Sequence, residues 1–261
     1  MKAHRLVPTR WCGFSLAGLA ALAMTLLTVG AMPGNYATPK ARKADKIIQR
    51  HVNALGGQEN IDALKTLRIH GRLQRQGLEF PFTLWLQRPN RSRMDIEVRG
   101  RTFVQAYDGD TAWWVNPLLG AEDPAEMPED FARSTKRWVD FEGPLVNYRA
   151  KRHGVEYVGE VEGDAGRLYE IELKHAGGEI WSVFIDANTY LEVKRTYQET
   201  FQNDKREVTA FFYDYAKVGG VNLYHVIDGE AIDGARYMMI FDAVEPNPDI
   251  DDELFSMPER Q

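Results

Sequence analysis

Between Leu84 and Pro117 the chain reads LWLQRPNRSRMDIEVRGRTFVQAYDGDTAWWVNP. Three turn signals divide it: Arg88-Pro89-Asn90, Arg99-Gly100 and Asp108-Gly109. Between them apolar and polar residues alternate, the period of strands that hide one face from water. A chain built this way must fold as an antiparallel sheet, and it must find something to lay against the hidden face.

The same period runs through most of the sequence. Leu67, Ile69, Gly71 and Leu73 alternate with Arg68, His70, Arg72 and Gln74. Phe80, Phe82, Leu84 and Leu86 form a second apolar file, and Met94, Ile96 and Val98 a third. Further strands are expected at 102–107, 111–115, 155–161, 167–175, 179–186, 190–199, 206–217, 221–228 and 235–244. Gly177-Gly178, Asp186–Asn188 and Gly219-Gly220 punctuate the hairpins.

Helical spacing occurs in two places. Ala44, Ile47, Ile48, His51, Val52 and Leu55 form one stripe ended by Gly56-Gly57, with a second short helix from Asn60 to Lys65. His51 lies in that stripe and reads as a packed core histidine. Residues 121–149 interrupt the strands, and Asp123-Pro124 with Glu126 reads as a helix start. Met127, Phe131 and Trp138 then share one face of that helix. About 11–12 strands with few helices imply a mainly β fold. The expectation is one half-open curled antiparallel sheet, an incomplete barrel with the helices as a lid.

Residues 1–31 read as a signal peptide. Lys2, Arg5 and Arg10 precede the apolar FSLAGLAALAMTLLTV, and Val29-Gly30-Ala31 suits cleavage after Ala31. An uncleaved membrane anchor is the rival reading. Residues 32–39 are expected to be a short disordered N-terminus and 40–261 one domain. Cys12, the only cysteine, precedes the apolar run, so it does not suit a lipid anchor. Cleavage leaves no cysteine, which excludes disulfides, thiol catalysis and cysteine–zinc sites. The remaining chain holds 29 basic and 38 acidic residues, a net charge of −9. That argues against nucleic acid or anionic headgroups as broad-surface partners.

The segment LWLQRPNRSRMDI followed by YDGDTAWWVNP resembles the periplasmic lipoprotein-carrier superfamily, the LolA/LolB-like proteins. The residues that carry the resemblance are Arg88-Pro89-Asn90, Asp108-Gly109, Trp113 and Asn116-Pro117. The closing Asn247-Pro248, Asp251-Asp252, Phe255 and Pro258 are similar to the end of that family's sequences. The resemblance implies a half-open barrel, helices lying over an apolar cavity, and a periplasmic location.

Signatures of catalysis are absent: no Gly-x-Ser-x-Gly, no His-Glu-x-x-His and no phosphate-binding glycine loop. His51, His70, His153, His175 and His225 lack paired metal spacing. Asp249, Asp251, Asp252 and Glu253 lack the glycine and distal glutamate of a calcium loop. No metal or cofactor is expected.

These readings point to a monomeric, non-catalytic carrier or chaperone for a lipid or an acylated lipoprotein, exchanging its load with a membrane protein. The expected cavity wall is Phe80, Phe82, Leu84, Leu86, Met94, Ile96, Trp113, Trp181, Phe184, Met239 and Phe241. Phe131 and Trp138 are the expected lid residues. A sensor or adaptor docking on a membrane protein is the first alternative. A hydrolase is the second; it requires His225 or acidic side chains to face the cavity, where a carrier requires an almost purely apolar lining.

Overall fold

The computed structural model describes residues 38–117, 120–201, 204–231 and 233–259. The expected signal peptide and its cleavage point lie outside the described residues.

Helix α1 (Pro39–Ala54) begins where Thr38 Oγ1 accepts from the Ala41 N–H at 3.0 Å, with Pro39 in the first turn. It buries Ala44, Ile47, Ile48, His51 and Val52, the stripe read from the sequence. His51 is packed: its Nδ1 lies 2.8 Å from the Tyr190 carbonyl, and burial pushes its pKa down. Helix α2 (Gln58–Ala63) follows.

Six strands come next: β1 (Thr66–Arg75), β2 (Leu78–Gln87), β3 (Arg91–Val98), β4 (Arg101–Tyr107), β5 (Ala112–Asn116) and β6 (Ala121–Glu126). Helix α3 (Glu129–Arg137) then leads to β7 (Gly154–Gly163), β8 (Gly166–Lys174), β9 (Ile180–Asp186), β10 (Glu192–Phe201) and β11 (Asp204–Tyr213). The chain ends with β12 (Ala216–Val218), β13 (Val221–Leu223), β14 (Val226–Glu230), β15 (Arg236–Pro246) and a 3-10 turn at Asp252–Phe255. The strand expected over 206–217 is broken at Asp214, whose φ is 52°. β12 and β13 form a separate two-stranded sheet.

Among the described residues the other thirteen strands form one antiparallel sheet in the order β6-β5-β4-β3-β2-β1-β15-β14-β11-β10-β9-β8-β7. The first half meanders outward from β1 to β6. The chain then crosses by α3 to the far edge at β7 and meanders back, so β15 pairs with β1 in the middle. This corrects the expected incomplete barrel: the strand order is linear, β6 and β7 do not pair, and the sheet is open. Both edges carry features that resist further pairing. β6 contains Pro124, which has no N–H to give a neighbour, and β7 has a bulge between Tyr157 and Gly159 with α1 packed along it.

The helix expected to begin at Asp123-Pro124 is also corrected. Those residues lie in edge strand β6, where proline is tolerated, and α3 starts after Pro128. The main core lies between one face of the sheet, helix α1 and the segment carrying Phe141, Leu145 and Val146. A smaller cluster joins Ala112, Trp114, Met127 and Ala132 beneath α3.

Candidate functional site

Strand parity assigns the inner face. Pairing sets Ile69 opposite Leu84, Leu67 opposite Leu86 and Leu84 opposite Met94, so these files share one side. On the other half, Ile227 faces Met239 and Phe212. Gly71 is required here: a Cβ on it would lie 2.6 Å from the Phe82 ring and 2.3 Å from the Ile240 carbonyl oxygen. Phe82 therefore lies across Gly71 and meets Phe241 edge-on at 6.1 Å.

Over the six contiguous middle strands, β2 to β10, lies a cavity of about 110 Å3. Its apolar floor includes Leu67, Ile69, Leu84, Leu86, Ala210, Phe212, Ile227, Phe241 and Val244. Its cover is Ser134 and Arg137 of α3, then Trp138, Asp140 and Phe141. Two anchors hold α3 down. Arg137 donates to both oxygens of buried Glu199 on β10 at 2.7 Å each, and Phe131 packs on Trp114 at 5.1 Å.

Four expected site residues line this cavity: Leu84, Leu86, Phe241 and Trp138. Phe82, Met94, Ile96, Trp181 and Met239 are buried in the same core, with Phe80 packed at its margin. Trp113 and Phe184 point to the opposite face. Trp113 pairs across from Ala106, and its Nε1–H donates to the Phe255 carbonyl at 2.7 Å, under the C-terminal segment. Phe184 lies three residues from Trp181 on one strand, so the two cannot face the same way; the Lys194 ammonium covers its ring at 4.8 Å. Phe131 sits in the smaller cluster. His225 is not among the lining residues; its Nδ1 is 3.0 Å from the Leu223 carbonyl.

The lining is less apolar than the sequence suggests. Arg195 of β10 reaches the cavity beside Tyr197, Tyr224 and Tyr237. Glu192 holds Arg195 through two bonds of 2.7 and 2.9 Å, and the guanidinium stacks over Phe212. Burial opposes that charge and Glu192 outweighs it, so Arg195 stays firmly protonated. Burial raises the Tyr224 phenol to about 12 and raises Tyr237 as well. Asp140 is bonded to Lys151 at 2.5 Å; burial raises its pKa against the pull of that lysine. The cavity thus has an aliphatic wall and an aromatic, charged wall. Among the described residues no group of three or more His, Cys, Asp or Glu is placed to hold a metal.

The turn motifs serve the scaffold. Asp108 Oδ1 accepts from the N–H groups of Asp110 and Thr111 at 2.8 Å, and Asn90 donates to the Gly109 carbonyl at 3.0 Å. Gly109, at φ 109°, leaves room for Asn90. Arg88 joins three pieces: it donates to the carbonyls of Leu64 and Ile61, pairs with buried Glu142 and stacks on Phe141. Asn247 closes the junction between α2 and β1, accepting from the Lys65 N–H at 2.7 Å.

No family model matches the sequence, and no curated protein matches it. Solved structures do match its fold. A DUF1329 family protein from Desulfovibrio piger is 14% identical with a TM-score of 0.56, covering 84% of this chain and 98% of its own. A LolA superfamily protein from Nitrosomonas europaea is 12% identical with a TM-score of 0.54, covering 84% and 98%. A Vibrio parahaemolyticus domain named for outer membrane lipoprotein sorting is 12% identical with a TM-score of 0.53, covering 82% and 97%. At 12–14% identity the likeness is one of fold: this chain shares its fold with these structures, one of them described as a LolA superfamily protein and another as a lipoprotein-sorting domain.

Proposed function

We propose that this chain is a non-catalytic carrier or chaperone of the cell envelope. It holds the acyl chains of a lipid or of a lipoprotein between the inner face of the sheet and α3. The observation that carries this reading is the cavity, with its aliphatic floor and a cover made of one short helix and the turn after it. An acyl chain gains about 0.8 kcal/mol per methylene removed from water, and such walls suit it. The present volume of about 110 Å3 is below the roughly 300–1,000 Å3 of small-molecule sites. A full chain enters as α3 and residues 138–141 lift from the floor. The apolar N-terminal run and the fold likeness support a periplasmic setting.

The test is native mass spectrometry of protein purified from a bacterial envelope, with organic extraction of bound material. A stoichiometric lipid or acylated peptide is expected, and Leu86→Lys is expected to lose it. Leu78→Lys, at an exposed position of the same strand outside the cavity lining, should retain it and serves as the folded control. A mass without adduct, unchanged after mixing with lipids and lipopeptides, overturns the carrier reading and leaves docking on a membrane protein.

A further inference from the structure

Beside the cavity, on the far side of Arg137, lies a second recess of about 260 Å3. Arg137, Asp140 and Arg195 line both spaces, so the two adjoin. Residues 133, 136 and 137 stand at i, i+3 and i+4 on α3, one face of the helix, and turn Arg133, Lys136 and Arg137 into the recess. The remaining wall includes His175 and Trp181.

Two polar atoms of this wall have no hydrogen-bond partner among the described residues: Nε1 of Trp181 and Nε2 of His175, both buried. Trp181 is only 4% exposed, and its indole nitrogen can only donate. A buried donor without an acceptor is costly, which marks this one as awaiting an acceptor atom. The charges beside it set the sign of that acceptor. Arg137 is matched by Glu199 and Arg195 by Glu192, and Arg133 is bonded to Asp130 at 2.6 Å. Lys136 has no carboxylate partner among the described residues; its ammonium lies 5.6 Å from the Tyr107 ring. Of the two acidic residues in the wall, Asp140 is held by Lys151 and Glu179 is exposed. His175 is kept neutral down to about 4, first by burial and then by the positive charges of His153, Arg195, Arg137 and Lys151.

We propose that the cargo is an anionic amphiphile. Its head, a phosphate or a carboxylate, docks in the recess against Lys136 and, as α3 lifts and uncovers it, against the buried Trp181 N–H, while its chain lies in the adjoining cavity. This rests on the carrier reading and adds to it a headgroup class and the residues that select it.

The test compares dodecyl phosphate with dodecanol, which share a tail and differ in the head, by calorimetric titration of the purified protein. Dodecyl phosphate should bind at least about tenfold tighter, the effect of one charge-assisted hydrogen bond. Lys136→Gln and Trp181→Phe should each bring it toward the affinity of dodecanol and leave dodecanol unchanged. Lys136→Gln alters a half-buried helix position and keeps the test valid if the tryptophan variant folds poorly. Equal affinity of the two ligands for the unaltered protein overturns the headgroup site while the carrier reading stands. Binding of neither overturns both. Displacement of dodecyl phosphate by inorganic phosphate at similar concentration overturns the amphiphile in favour of a free anion.

Discussion

At the scale of the residue, the histidines are the most sensitive reporters of this fold. The rings of His153 and His175 lie 4.4 Å apart, and His175 lies 4.0 Å from Trp181. His175 is depressed to about 4, and His51 and His153 are depressed too, in each case with burial as the first cause. The unfolded chain takes up protons near pH 6.5 that the folded chain refuses. Stability is therefore fully present above that value and lost as pH falls toward 4. The urea midpoint should drop between pH 7 and 4.5, and His175→Gln should reduce that drop without abolishing it. An unchanged slope in this variant would mean that His175 titrates alike in both states. The inward residues of β10 were hidden from sequence reasoning for a related reason. Arg195, Tyr197 and Glu199 alternate with Thr196 and Gln198, and charged residues at every second position read as the wet face. Their partners decide otherwise: Glu192 and Arg137 satisfy the charges, and rings of Trp181 and Phe212 cover Arg195. Nothing in the spacing links Arg137 to Glu199, 62 positions away.

Among the elements, α3 is the one that the carrier reading requires to move. It has nine residues and buries only Ala132 and Thr135, so its own helix propensity contributes little and its anchors decide whether it stays closed. The Arg137–Glu199 pair is one anchor, and the Arg133 bond to the Thr200 carbonyl at 3.1 Å strengthens it. Glu199→Gln leaves one acceptor and removes the charge, a loss of about 1.5–3 kcal/mol. Hydrogen exchange of the α3 amides should then speed up roughly 10- to 100-fold, with β1 and β15 unchanged. If the sheet amides accelerate equally, the pair supports the whole fold and α3 is no separate unit. The sequence revealed α1, most strands and the interruption of the strands after residue 120, because each depends on local periodicity. It misplaced the start of α3 because Asp-Pro followed by an acid fits a helix cap and an edge strand equally well. Pairing of Trp113 with Glu126 decides between them. Trp113 and Trp114 pose the same kind of choice: adjacent residues face opposite ways, and only the strand register tells which one looks inward.

On the scale of the whole molecule, the strand order explains why the barrel expectation failed. Strand number alone says how wide a sheet is, whereas closure depends on whether its ends meet, and here the ends are a proline-bearing strand and a strand backed by α1. The same order places the joint between the N-terminal and C-terminal halves at β1–β15, in the centre, where Ile69 faces Val244 and Leu73 faces Met239. Both halves share one core across that joint. Expressed separately, residues 38–150 and 151–259 should each fail to show a cooperative urea transition. A sharp transition in either would show that it folds as a domain by itself. The cavity floor crosses this joint, with Leu84 and Leu86 on one side and Phe212 and Ile227 on the other. Under the carrier reading a guest therefore acts as a rivet, touching both halves and binding only when they are docked. At a hundredfold excess over its Kd it would add about 2.7 kcal/mol to the assembled form. Loaded copies would then resist envelope proteases, and copies that have given up their load would be the first to be degraded.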